Sequence, residues 1–300
     1  MLYNYISKNP HLFPAVIGIT EKQFYKLLKH FKKELANYEY ESAYSKNRIR
    51  SIGGGRKSKL STPEEKLLFI LFYYKVYPTY RLAEIFFEMD HTNIYRWKVK
   101  LENTLQRCIS FELELRTVQA RTVNDVIEVC PQLSEILIDA TERPIRRPKY
   151  NQEMYYSGKK KDHTVKTQIA VSPRGKRKIL FISPTVPGKT HDKKLAEMTL
   201  PHIKAPPNIT IVTDLGYIGL KDSLPYGIKH AHPIKKQRNT ELTEGEKRTN
   251  RQISFVRVRV EHPFAYIKHF NIARHDYRNR LSTAHKPMEV LASLYNFTRQ

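Results

Sequence analysis

Early in the chain, apolar residues recur at helical spacing: Phe24, Leu27, Leu28, Phe31 and Leu35, preceded by Thr20 and Glu21 as a helix start. A sharper signal is Thr62-Pro63-Glu64-Glu65, where a capping threonine, a proline at the first helical position and a glutamate at the third form a capping box. It predicts an amphipathic helix with Leu67, Leu68, Leu71 and Tyr74 inward, broken at Tyr77-Pro78-Thr79. A short helix over 80–87 follows with Leu82, Ala83 and Phe86 inward. A third starts near Asp90, with Ile94, Trp97, Leu101 and Leu105 inside and Asn93, Arg96 and Lys100 outside. Three short helices, the last polar and basic at its N-terminal end, describe a helix-turn-helix; a plain helical bundle would share the apolar pattern.

Beyond a connector at 116–133, with a short helix around 123–129, the period changes. Ile136-Leu137-Ile138 suits a strand buried on both faces and delivers Asp139 at its end. Ile209, Ile211 and Val212 repeat the pattern and lead into Thr213 and Asp214. Between them, 164–172 and 178–183 flank Pro173-Arg174-Gly175 as a hairpin, and 192–198 reads as a helix capped by Thr190 or Asp192. A last helix is expected over 255–270. On its surface Arg257, Glu261 and Lys268 share a stripe with position 264, beside an apolar stripe of Val256, Val260 and Ile267. Pro263 is expected to kink it. The run from Lys235 to Arg251 reads as an exposed charged loop.

Strand, hairpin, helix, strand and helix in that order predict an α/β domain, a mixed sheet flanked by helices, behind an all-α helix-turn-helix domain. The expected boundaries are 1–50 for an N-terminal helical arm that packs or dimerises, 51–59 for a basic glycine-rich linker, 60–109 for the helix-turn-helix, 110–134 for the connector and 135–300 for the α/β domain. The linker's Gly53, Gly54 and Gly55 follow no strand and lack the Gly-Lys-Ser/Thr ending of a P-loop, so a nucleotide site is not expected there.

Charge narrows the partner. Lys and Arg number 53 against 29 Asp and Glu, a formal +24 over 300 residues, which favours a polyanion. The longest apolar run, Leu67 to Tyr74, is too short to span a bilayer, and no signal pattern opens the chain, so the expectation is a soluble, cytoplasmic protein with no membrane partner. Cys108 and Cys130 have no C-x-x-C partner and read as small buried apolar residues.

Within that frame the acids take on meaning. Two aspartates at the ends of buried strands and a glutamate on a packing helix would repel one another in one place without a cation. Oxygen-only ligands suit Mg²⁺, or Mn²⁺ in its place; two such ions about 4 Å apart activate a water or a 3′-hydroxyl for in-line attack on a phosphodiester. Taken singly, each aspartate is an ordinary turn or helix cap, and the helical row an ordinary surface ion-pair row. In the helix-turn-helix, Thr92, Asn93 and Arg96 are the base-reading candidates, with Lys98 and Lys100 for phosphates.

From about Leu60 onward the chain resembles a DDE-superfamily transposase of the bacterial insertion-sequence type, related to the Harbinger group. The residues that carry the likeness are Leu137-Ile138-Asp139-Ala140-Thr141-Glu142-Arg143-Pro144, Pro187-Gly188-Lys189-Thr190-His191-Asp192, Thr213-Asp214-Leu215-Gly216-Tyr217, and Arg257, Glu261 and Lys268 with three and six residues between them. The signature's tyrosine, three residues before the arginine, falls on Ser254, and no large domain is inserted between Asp214 and Glu261. The resemblance implies a ribonuclease-H-like fold for 135–300, hydrolysis at the transposon end, and attack of the freed 3′-hydroxyl on target DNA. It implies that Asp139, Asp214 and Glu261 hold two Mg²⁺ ions while Arg257 and Lys268 steady DNA phosphates. His163, Lys166, His191 and Asp192 are supporting candidates. The expected partners are double-stranded DNA, at transposon ends and target, and further copies of the chain as a homo-oligomer on DNA in the nucleoid. Arg146-Arg147, Lys159 to Lys161 and Lys235-Lys236 would add salt-sensitive backbone binding. Two other readings stand beside it. A DNA-binding protein with an inactive, transposase-derived nuclease domain would have lost an acid, and all three are present. A tyrosine recombinase would surround a tyrosine with arginine and histidine, which no tyrosine here has.

Overall fold

The computed structural model describes residues 2–44, 58–110, 134–173, 175, 177–200, 209–224 and 226–299. The expected connector helix, the glycines of the linker and Cys130 lie outside the described residues. The chain divides into two compact units, residues 1–110 with 269–272, and residues 111–268 with 273–300.

In the first unit the helices are α1 (Leu2–Ser7), α2 (Leu12–Ile17), α3 (Glu21–Tyr44), α4 (Pro63–Val76), α5 (Tyr80–Phe87) and α6 (His91–Ser110). The stripe expected on α3 is buried, from Phe24 to Leu35, and α3 packs on α4 and α6, so the expected arm shares one core with the three-helix segment. The capping box forms: Thr62 Oγ1 accepts from Glu65 N at 3.2 Å and Glu65 Oε2 from Thr62 N at 3.1 Å. Tyr77, in the left-handed region at φ 51°, closes α4, and Thr79 Oγ1 accepts from Leu82 N at 3.1 Å to open α5.

Two facings differ from expectation. Every residue of α4 from Leu67 to Tyr74 is buried, because α1, α2, α3 and α6 all pack around it; it is a central helix, not an amphipathic one. On α5 only Ala83 is fully buried, while Leu82 is 45% and Phe86 41% exposed. Phe87 turns inward instead and sets its ring against Phe69 and Phe72.

The second unit is built on a mixed sheet of β1 (Glu135–Pro144), β2 (Tyr156–Ser157), β3 (Asp162–Val171), β4 (Ile179–Ile182), β5 (Val186–Pro187), β6 (Thr210–Val212) and β7 (Lys229–Ala231). Its order is β2-β3-β1-β6-β7, with β4 and β5 also on β3. The β3 pairings with β1, β4 and β5 are antiparallel, whereas β1 with β6 and β6 with β7 are parallel. This is the α/β mixed-sheet class expected, and it agrees with the ribonuclease-H-like layout that the resemblance implies. β2, β5 and β7, too short to show a period, are not among the expected strands.

Helices flank this sheet. Helix α7 (Gln152–Tyr155) is one turn long, and α8 (Asp192–Thr199) lays Ala196 beside Ile136, Ile138 and Ala170 in a core completed by Tyr217 and Leu220. Helix α9 (Glu244–Lys268) lies against β1, and the last helix, α11 (His285–Thr298), against β4 and α9, beyond the single turn α10 (Asn271–Arg274). Asn296 of α11 grips the β4 backbone, accepting from Ile179 N at 2.9 Å and donating to Ile179 O at 2.8 Å.

Helix α9 differs from the expected helix in its bounds. It starts eleven residues before Phe255, so the charged loop expected up to Arg251 is helical from Glu244. Thr243 and Glu246 exchange the same reciprocal cap as Thr62 and Glu65, at 3.2 and 2.7 Å, and this stops the loop. The helix ends at Lys268, and Pro263 lies inside it, buried with Val260, Phe264 and Ile267, without breaking it.

Candidate active site

Parallel pairing of β1 with β6 matches Leu137 to Val212. Two residues further along come Asp139, still within β1, and Asp214, in the turn just after β6. Asp139 is therefore not at the end of its strand, which runs on to Pro144 along β3; it sits just past the point where β6 leaves the sheet. Asp139 Oδ1 accepts from Ala140 N at 2.8 Å. Asp214 Oδ1 accepts from Gly216 N at 2.8 Å and caps the single turn Leu215–Tyr217. Their second oxygens face one cation: Arg257 Nη2 of α9 is 4.0 Å from Asp139 Oδ2 and 4.0 Å from Asp214 Oδ2. Burial pushes the Asp139 carboxyl up to about 6, reinforced by the negative charge of Asp214 and Asp192 and opposed by the Ala140 N–H and Arg257.

Asp192 joins the pair through a glycine. A side chain on Gly216 would place Cβ 2.8 Å from Asp192 Oδ2 and 3.0 Å from Asp214 Oδ1, so the two carboxylates close on a position that only glycine leaves open. Asp192 opens α8, whose cap is His191, with Nδ1 accepting from Lys193 N at 3.3 Å. Beneath it Lys166 of β3 is buried, its ammonium 2.7 Å from Asp192 Oδ1, 2.7 Å from Thr190 O and 3.7 Å from Glu142 Oε1. Glu142 is the register partner of Lys166 across β1 and also accepts from Thr164 Oγ1 at 2.9 Å. Tyr217 lies buried alongside, its hydroxyl donating to Gln168 Oε1 at 3.3 Å; burial first, then Asp139, Asp192 and Asp214, hold its phenol well above the ordinary value.

Arg257 faces the aspartates from α9, and Glu261 follows one turn later on the exposed surface of the same helix. An i, i+4 step is about 6 Å of rise with a small angular offset. Lys268, near the end of that row, has its ammonium lowered by desolvation and by Lys160, with Asp139 acting in the opposite sense. His163 does not join the group; its ring packs edge-on against Tyr156 at 5.6 Å.

Residues 138–296 match the family model described as DDE superfamily endonuclease, and residues 58–111 match the one described as helix-turn-helix of DDE superfamily endonuclease. This chain belongs to the DDE superfamily of endonucleases. It is 28% identical over 248 residues to the probable transposase for insertion sequence element IS702 of Microchaete diplosiphon, spanning 81% of this chain and 83% of that protein. No solved structure matches it. Among the described residues no helix is long and apolar enough to cross a membrane.

The helix-turn-helix of this DDE endonuclease keeps Thr92, Asn93 and Arg96 exposed at the start of α6, where Asp90 Oδ1 accepts from Thr92 N at 2.8 Å. Two lysines assigned to phosphates are placed otherwise. Lys98 is 2% exposed and pairs with buried Glu102 at 2.8 Å, which also accepts from Tyr74 OH at 2.9 Å; it takes the inward place expected of Trp97. Lys100 is 2.8 Å from Glu39 and lies over the Trp97 ring, so its charge is directed to α3. Sequence reasoning passed over Tyr95, which is 44% exposed on the same outer turn.

The donor chemistry of the candidate site fits a hard divalent cation. Asp139 and Asp214 offer oxygen alone, one from β1 and one from the turn after β6, and after burial the charge of Asp214 is among the causes that raise Asp139. Among the described residues the tightest trio of His, Cys, Asp and Glu donors is elsewhere, Glu84, Asp90 and His91. Its bonds, His91 N and Nδ1 to Glu84 Oε1 and Thr92 N to Asp90, are those of the turn that starts α6, and they account for the cluster.

Proposed function

We propose that this chain is a transposase that binds the ends of its own element through the helix-turn-helix and cuts and joins DNA strands in the α/β unit. The observation that carries the reading is the pair Asp139 of β1 and Asp214 just after the parallel β6, each with its Oδ2 4.0 Å from Arg257 Nη2. Asp139 and Asp214, with Glu261 from α9, would hold Mg²⁺ or Mn²⁺, as two ions. Bound there, the cations supply activation of the attacking oxygen and stabilisation of the leaving one.

The chain's own residues do the rest. Arg257 would move from the aspartates to a DNA phosphate once cations neutralise the carboxylates, and Lys268 with Lys160 would grip the backbone further along. Thr92, Asn93 and Arg96 present hydrogen-bonding groups to base edges in the major groove. The test is cleavage and strand transfer with end-bearing DNA, with and without Mg²⁺, for the wild type and for Asp139→Asn, Asp214→Asn and Glu261→Gln. The expected result is metal-dependent cutting by the wild type and none by the variants; persistent cutting by Asp139→Asn and Glu261→Gln rejects the assignment.

A further inference from the structure

The proposed acids leave one buried charge system without a task. Lys166 is 7% exposed in the middle of the sheet, and a lysine there needs partners to remain charged. It has three acceptors within reach: Asp192 Oδ1 and Thr190 O at 2.7 Å, and Glu142 Oε1 at 3.7 Å. Two of these, Thr190 and Asp192, flank the start of α8, and the third lies on β1, the strand of Asp139. The ammonium therefore ties the first turn of α8 to the central strand.

The turn leading into α8 is pinned from the other side as well. Gly188 N donates to Thr164 O at 2.9 Å, and any Cβ on Gly188 would run into the Thr164 side chain. Thr164 Oγ1 in turn donates to Glu142. Held this way, Asp192 gives one oxygen to Lys166 and directs the other, Oδ2, to the open face of Gly216, where Asp214 Oδ1 lies. Asp214 Oδ1 is thus fixed between the Gly216 N–H and the Asp192 charge, and Asp214 Oδ2 is the oxygen left facing Arg257 and Asp139.

We infer that Asp192 is a positioning residue of the cation site, clamped by Lys166, which orients Asp214 by standing behind its Oδ1 and adds negative charge to the pair without itself being a ligand. The inference rests on the acid site proposed above. A buried lysine serving only to staple α8 would need Thr190 O and Glu142 alone; the turned-out oxygen at a side-chain-free glycine gives Asp192 its second role. Groups that orient ligands in this way typically change metal affinity about 10–100-fold when removed.

The experiment is Mn²⁺ binding to the full chain without DNA, read as affinity and stoichiometry, for the wild type, Asp139→Asn, Asp192→Asn and the double variant Lys166→Gln/Asp192→Asn, with melting temperature recorded for each. The double variant removes both charges of the buried pair and so leaves no lone ammonium behind. Expected are weaker binding by about tenfold or more at unchanged stoichiometry for both Asp192 variants, and loss of sites for Asp139→Asn. Wild-type affinity in folded Asp192→Asn and double variants overturns the inference, as does a loss of sites equal to that of Asp139→Asn, which would make Asp192 a ligand. If Asp139→Asn also binds Mn²⁺ as the wild type does, the acid site itself is refuted and this inference falls with it.

Discussion

Asp139 and Asp214 stand side by side because Leu137 and Val212 are register partners in parallel strands and each aspartate follows its partner by two residues. Strands in a sheet are about 4.8 Å apart, so the turn that leaves β6 carries Asp214 past the neighbouring strand that bears Asp139. Arg257 Nη2 lies 4.0 Å from each, and the Asp139 carboxyl is raised first by burial and then by the charge of Asp214 and Asp192, against the opposing Ala140 N–H and Arg257.

The raised carboxyl makes stability depend on pH. The Asp139 carboxyl lies at about 6 in the fold against an ordinary 3.8, so the fold binds its proton more tightly than the unfolded chain does. Its contribution is favourable at pH below about 4 and is lost as pH rises through about 6. Asp139→Asn carries no charge at any pH, and in chelator it should exceed the wild type by about 2–3 kcal/mol at pH 7.5 and by little at pH 4. Thermal unfolding at the two pH values measures this; a gap that does not widen with pH contradicts it.

Gly216→Ala tests the crowding of the carboxylates. The added methyl would meet Asp192 Oδ2 at 2.8 Å and Asp214 Oδ1 at 3.0 Å, and one of them must move. DNA cleavage should fall by about 100-fold, the scale of a 1 Å misplacement in a reacting site. Circular dichroism should be unchanged, and cleavage within a factor of two of the wild type would show that the site has slack.

Arg257→Gln removes a cation placed against both aspartates. Without it Asp139 should hold its proton to higher pH, because Arg257 is among the groups that keep that carboxyl down. The acid limb of the cleavage profile should shift upward in pH, with weaker binding of the DNA strand. An unmoved acid limb would mean that Arg257 does not act on Asp139.

Arg96 and Lys98 are two residues apart on α6 and should fail in different ways. Arg96→Ala, at an exposed position, should weaken binding to end DNA by about 1–3 kcal/mol with the fold intact. Lys98→Met leaves Glu102 buried with Tyr74 OH in place of a cation and should destabilise the unit by about 3–5 kcal/mol. Gel-shift affinities and urea unfolding separate the two; equal affinity losses at unchanged stability would return Lys98 to the DNA surface.

What the sequence made legible was whatever is local. The Thr62 cap, the break at Tyr77 and the buried strand ahead of Asp139 are set by neighbouring residues, and all appear as read. The second capping box, Thr243 to Glu246, was equally local and was obscured by the charge around it. Facing was less accessible. A helix of two turns such as α5 has apolar residues on most sides, and tertiary packing, here Phe87 on Phe69, decides which is buried. The burial of Lys98 depends on Tyr74 of α4, and the tie between Lys166 and Glu142 depends on β3 being the neighbour of β1, which no run of adjacent residues encodes.

Helix α9 continues unbroken past Pro263, over 25 residues. At about 1.5 Å of rise per residue, this rod sets the backbones of Arg257 and Lys268, eleven residues apart, about 16 Å from each other along the axis. Nucleotides in one strand of a duplex advance about 3.4 Å each, so a backbone laid along this rod would be held at points roughly five nucleotides apart, with Glu261 between them. On the proposed function, the footprint of the cutting site on DNA would be a length measured by protein backbone, the same whatever bases lie beneath it.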